Sequence, residues 1–156
     1  MANLFPEGYE DEIIEAEDLE SSQTVGYRNG LSFDEQLGDF RRDGANKILD
    51  SSGIDSWKSW IINGIQTERY AHLAYSTDFG IETVEAFRAK TKDEAESILT
   101  RQITEFVLAD PYKRAEYVEE ITYDWTAPES VVASLTVHGI ADVSIDIEAY
   151  ITRRDT

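Results

Sequence analysis

Apolar residues fall at helical spacing in two stretches of this chain and alternate with polar ones in two more. Trp57, Trp60, Ile61 and Ile65 stand at i, i+3, i+4 and i+8, which puts one broad apolar face on a helix. Asp55 is a good N-cap type for it, and the helix is expected to run to about Gln66. Ala95, Ile98, Leu99, Ile103, Phe106 and Val107 repeat the pattern. Ahead of them, Thr91-Lys92-Asp93-Glu94 has the form of a capping box, in which the threonine oxygen accepts from first-turn amides and the glutamate reaches back. Asp110-Pro111 should end this second helix, because the proline ring pushes the residue before it out of the helical region.

Val131, Ala133, Leu135 and Val137 alternate with polar partners, as do Val143, Ile145, Ile147, Ala149 and Ile151. Alternation buries one face of a strand. Joined through His138 to Asp142, with Gly139 between, the two runs predict an antiparallel hairpin or meander. Tyr117 to Trp125 and the short apolar run Tyr70 to Ser76 read as further strands. Residues 21–54, rich in Gly, Ser and Asp, predict one or two short strands near Thr24-Val25-Gly26-Tyr27 and Ala45 to Leu49. The fold class is therefore α+β, a small antiparallel sheet with two main helices packed on it. Residues 23–156 are expected to form one such domain behind an extended acidic arm, residues 1–22. No internal repeat interrupts this order.

Length agrees, since 156 residues fit one domain able to bury roughly 70% of its unfolded surface. Charge adds more. Thirty-two acidic against 14 basic residues give a net charge of −18, which repels nucleic-acid phosphates and anionic lipid headgroups. Neither nucleic acid nor membrane is an expected partner. Solubility accounts for such acidity as well as a need for cationic protein partners does. The acid concentrates at the start: Glu7, Glu10, Asp11, Glu12, Glu15, Glu17, Asp18 and Glu20 put eight carboxylates, and no Lys or Arg, in the first twenty residues. That stretch should not fold alone, yet it carries Leu4, Phe5, Tyr9, Ile13, Ile14 and Leu19. The arm reads as docked on its own domain or on a neighbour, the neighbour being favoured. No apolar run reaches the ~18 residues of a membrane span. The acidic N-terminus lacks the positive region of a signal peptide, so use without secretion is expected.

Candidate chemistry is thin. The chain has no cysteine, so thiolate metal sites and cysteine nucleophiles are excluded. His72 and His138 alone would need several carboxylates to hold a metal. His72 lies in the apolar run after the first helix and reads as a structural histidine; His138 beside Gly139 reads as a turn residue. No Gly-x-Ser-x-Gly elbow, phosphate loop or Gly-x-Gly-x-x-Gly occurs. Among 32 acids, pairs of carboxylates arise by chance, so none marks a glycosidase. No catalytic residue, cofactor or metal is expected.

One stretch stands out. Trp57-Lys58-Ser59-Trp60-Ile61, then Thr67-Glu68-Arg69-Tyr70, then Tyr75-Ser76-Thr77-Asp78-Phe79-Gly80-Ile81-Glu82 resembles the wedge family of contractile phage tail baseplates. Within it, the likeness is to the XkdS-type branch of sheath initiators found in prophages of Gram-positive bacteria. Members carry a helix ending in Thr-x-x-Glu-Arg or Thr-Glu-Arg, a short strand, an Asp-(Phe/Tyr)-Gly turn, and a long helix closing on an acidic-Pro-Arg motif before C-terminal strands. The order matches from about Asp55 onward. The third motif departs from the pattern: Asp110-Pro111 is followed by Tyr112, with Lys113 and Arg114 just after.

The resemblance implies a non-enzymatic virion protein of the tail baseplate, assembled in the bacterial host cytoplasm. Its partners would be other wedge proteins, the tail sheath protein, and tube or hub proteins, with six copies around the tail axis. It implies partner contacts at Thr67, Glu68, Arg69, Tyr70, Asp110 and Pro111, and a sheath arm adding a strand to an open sheet edge. The residues themselves leave Arg69 open to two readings, an internal staple to the following segment or a docking point. Asp78-Phe79-Gly80 reads as a structural turn whose glycine permits positive φ. On the final strand, Asp146 and Glu148 face away from the apolar side and would favour a cationic arm. An acidic assembly chaperone or binding module and, more remotely, a peptidoglycan hydrolase are the alternatives.

Overall fold

A computed structural model of the chain describes residues 26–34 and 37–153; the acidic arm, residues 1–22, lies outside the described residues. The fold is α+β. Four two-residue strands, β1 (Gly30–Leu31), β2 (Phe33–Asp34), β3 (Asp39–Phe40) and β4 (Asp50–Ser51), precede helix α1 (Gly53–Ile65). The one-turn helix α2 (Val84–Phe87) and the long α3 (Lys92–Leu108) follow. Then come β5 (Ala115–Val118), β6 (Thr122–Ala127), β7 (Ser130–Gly139) and β8 (Val143–Thr152).

Helix starts follow side-chain chemistry. Ser52, not Asp55, caps α1: its hydroxyl accepts from the Asp55 amide at 3.1 Å and donates to the Asp55 carboxylate at 2.7 Å. Asp55 thus holds the capping hydroxyl in place from the third helical position. Thr91 caps α3 as its sequence pattern predicts, accepting from the Glu94 amide, while Glu94 reaches back to the amide of Lys90. α3 ends just before Asp110-Pro111.

β7 is the central strand. β8 pairs with it antiparallel along all ten residues, Gly139 facing Val143 and Ser130 facing Thr152. On its other side β5 takes the end near Val137 to Gly139 and β6 the stretch from Ser130 to Ser134. One expected strand, Tyr117 to Trp125, is therefore two, with Glu119 to Ile121 as the break. His138 and Gly139 lie inside β7, so the hairpin turn is shorter than expected. Its residues Ala141 and Asp142 take left-handed φ of 58° and 55°. His138 is no turn residue; its ring stacks on Tyr117 at 4.3 Å and bonds Glu119 at 3.0 Å.

The core lies between the sheet and the helices. Trp57, Ile61 and Ile65 of α1 and Leu99, Ile103 and Phe106 of α3 pack with Val131, Val137, Ile147 and Ile151. Burying each such side chain contributes about 1.5–3 kcal/mol. Gly64 lets the helices close, because a Cβ there would run into the ring of Phe106. Tyr123 ties β6 to α3 through Thr100 at 2.9 Å, and burial pushes its phenol up to about 12.

One expected strand is absent. Tyr70 to Ser76 is a run of turns and bends, fully on the surface; Tyr70 has φ 67°, which no strand residue adopts. His72 is accordingly exposed, edge-on to Tyr75 at 5.1 Å, and is not a core histidine. Residues 21–54 do hold short strands, β1 to β4; Ala45 to Leu49 contributes only the bridge of Ile48 to Arg42, with Asn46 at φ 65° in the turn before it. Thr24 and Val25 lie outside the described residues, and Tyr27 beside them is a buried core residue.

Candidate assembly site

Residues 67–81 form a surface loop whose ends meet, an arrangement of the Ω type. Its neck is two backbone bonds, Arg69 N–H to Ile81 O at 2.9 Å and Ile81 N–H to Thr67 O at 3.0 Å. The motif residues converge here. The Thr67 hydroxyl donates to Asn63 O at 2.6 Å. The Glu68 carboxylate accepts from the Thr83 amide at 3.1 Å and from the Thr83 hydroxyl. Arg69 donates from Nε to Gly80 O at 3.0 Å and pairs with Glu105 of α3 at 3.6 Å. Gly80 has φ 99°, and a side chain there would press on Thr67 O at 2.7 Å. Glu68 and Arg69 thus staple the loop to α2 and α3, while Tyr70 points outward, 65% exposed.

A second cluster sits past the end of α3. The Asp110 carboxylate accepts from the Tyr112 and Arg114 amides at 3.1 Å each and from Arg114 Nε and a terminal nitrogen at 2.8 and 2.9 Å. This bidentate pair is buried. The Arg114 guanidinium also lies over the rings of Tyr112, Trp60 and Trp57 at 5.1, 5.6 and 6.0 Å. Arg114, four residues after the aspartate, makes the carboxylate contact, and Tyr112 covers it. Nearby, burial pushes the Tyr27 phenol above its ordinary value, while Arg114 works the other way. Thr83 was the partner no local pattern announced, while Arg114 stands just after the Asp110-Pro111 motif.

Thr67, Asp78, Phe79 and Pro111 line one groove of about 960 Å³. Asp146 and Glu148 lie apart from it, on β8, beside a shallow depression they share with Lys58 and Glu120. Asp146 accepts from the Thr136 hydroxyl at 2.7 Å.

The backbone of β8 has a definite sense. Thr136 O accepts from the Glu119 amide on the β5 side, so the Thr136–Asp146 pair is not hydrogen-bonded. Arg153 N–H to Glu129 O fixes the same phase at the other end. Backbone groups of Ser144, Asp146, Glu148, Tyr150 and Thr152 therefore point away from β7. No strand pairs with that side of β8 among the described residues. The sheet's opposite edge is broken between β5 and β6 and shifts register at Ala115/Tyr117 and Trp125/Ala127, which blunts it against pairing.

Among the described residues no group of three or more His, Asp or Glu is placed to hold a metal ion, and no helix is long and apolar enough to cross a membrane. No protein-family model matches the chain, and no curated protein matches it.

Proposed function

We propose that this chain is a structural baseplate wedge subunit of a contractile phage tail, or of a phage-derived contractile particle, joining wedge proteins and starting the sheath by strand addition. The observation that carries the reading is the edge of β8, unpaired among the described residues, with five alternate residues offering backbone groups in one run. Each main-chain bond to an added strand contributes roughly 1 kcal/mol net, enough in sum to order a sheath arm. Asp146 and Glu148 suit a cationic arm, and Lys58 beside them offsets part of their charge. Six such edges in a ring would template the first sheath layer, with assembly in the host cytoplasm.

Asp146→Pro tests this cleanly, because the amide it removes faces outward and the ladder to β7 is spared. Baseplates carrying it should assemble while tubes stay bare under the electron microscope. Sheathed tails of normal length would refute strand addition at this edge. Mass spectrometry of purified tails decides between a resident subunit and an assembly chaperone, which would leave before completion.

A further inference from the structure

The groove beside the loop neck has two unlike walls. Leu31, Phe40 and Tyr75 border it, 51%, 39% and 53% exposed, with Phe79 and Trp60 deeper. Facing them, α1 presents Ser56, Ser59 and Asn63 at i, i+3 and i+7. The Ser56 hydroxyl is shielded from solvent and has no hydrogen-bond partner among the described residues. An apolar wall opposite a polar row suits a peptide, which offers side chains to one and backbone amides to the other.

We propose that this groove holds the apolar residues of the chain's own N-terminal arm, around Phe5, Tyr9, Ile13 and Ile14. Reach favours it: Gly30 and Leu31 form part of the wall, and the arm joins the domain only a few residues earlier. The sixteen residues from Ile14 to Gly30 can extend roughly 50 Å, more than the ~40 Å breadth of a domain this size. The groove lining has one charged residue, Asp78, so it suits the arm's apolar residues and leaves the arm's carboxylates outside. Beyond the lining residue Pro111 come two cations, Arg28 over Tyr112 at 5.9 Å and exposed Lys113, of the sign those carboxylates need. A tether this short gives a local concentration on the order of millimolar, which favours the arm in cis over that of another copy. The proposal is independent of the sheath-initiator reading, since it concerns the free subunit.

The chain has no cysteine, so Glu7→Cys accepts a single nitroxide label. In the full-length labelled protein, the nuclear magnetic resonance signals of the Ser59, Asn63, Ala74 and Ser76 amides should lose most of their intensity. They should recover when Leu31→Glu and Tyr75→Glu are added, both at exposed positions that leave the core intact. A mixture of isotope-labelled chain with nitroxide-bearing, isotope-silent chain should show no loss. Full intensity at these amides in the singly labelled protein, loss that survives the double variant, or loss appearing in the mixture would each overturn the proposal.

Discussion

Arg114 and Arg69 are both largely buried, and their surroundings differ in kind. Arg114 meets a carboxylate that is wholly buried, 0% exposed against its own 10%, in a two-pronged contact roofed by aromatic rings. Arg69 is as buried, at 9%, but its carboxylate, Glu105, is 60% exposed and stands at 3.6 Å, and its best bond is to a carbonyl. The first is a sealed ion pair, in which each charge depends on the other because water cannot replace it. The second is a staple: a guanidinium filling a carbonyl's need, with a solvated carboxylate alongside. They divide the work, Arg114 fixing the segment that follows α3 and Arg69 closing the loop.

Substitutions sharpen this contrast. Asp110→Ala should have the largest effect, about 3–5 kcal/mol of unfolding free energy by denaturant titration, because it strands a buried cation. Arg114→Ala should cost less than Asp110→Ala, since the Tyr112 and Arg114 backbone amides still serve the carboxylate. The reverse order would show that the aromatic stack, not the pair, holds the cluster. Arg69→Ala comes next, at about 1.5–3 kcal/mol for a charged hydrogen bond. Faster hydrogen exchange at the Ile81 amide, which closes the neck, should accompany it. Glu105→Ala should be the mildest, about 0–1 kcal/mol, as for other exposed pairs. A loss from Glu105→Ala equal to that from Arg69→Ala would make both arginines sealed pairs and erase the distinction.

What could be read from the sequence follows the length over which a pattern repeats. The two long helices rest on four and six apolar positions and the strands of the β7–β8 hairpin on four and five, and tertiary contacts only reinforced them. Tyr70 to Ser76 failed because its apolar residues serve no strand. A left-handed Tyr70 turns the chain at the neck, and Leu73 and Tyr75 stand at the surface. The four two-residue strands and α2 are too short for any period to show. At the site, Thr67-Glu68-Arg69 and Asp78-Phe79-Gly80 were visible as local chemistry. Their partners Thr83 and Glu105 were not, since only the fold brings residues so distant in sequence together. Asp110 was visible but its meaning was not: Arg114 completes it from one helical turn onward, where a dipeptide motif does not look.

A strand edge left unpaired among the described residues can meet a copy of itself. Backbone phase lets two β8 strands pair antiparallel only with outward-facing residues opposed, so Ser144, Asp146, Glu148, Tyr150 and Thr152 must meet one another. Of the symmetric registers this permits, the two with greatest overlap turn about Ile147 or about Glu148. One sets Asp146 against the other copy's Glu148; the other sets Glu148 against itself. Like charges directly opposed weaken strand pairing. Asp146 and Glu148 thus weaken pairing of β8 with its own copy in the registers where the overlap would be most extensive.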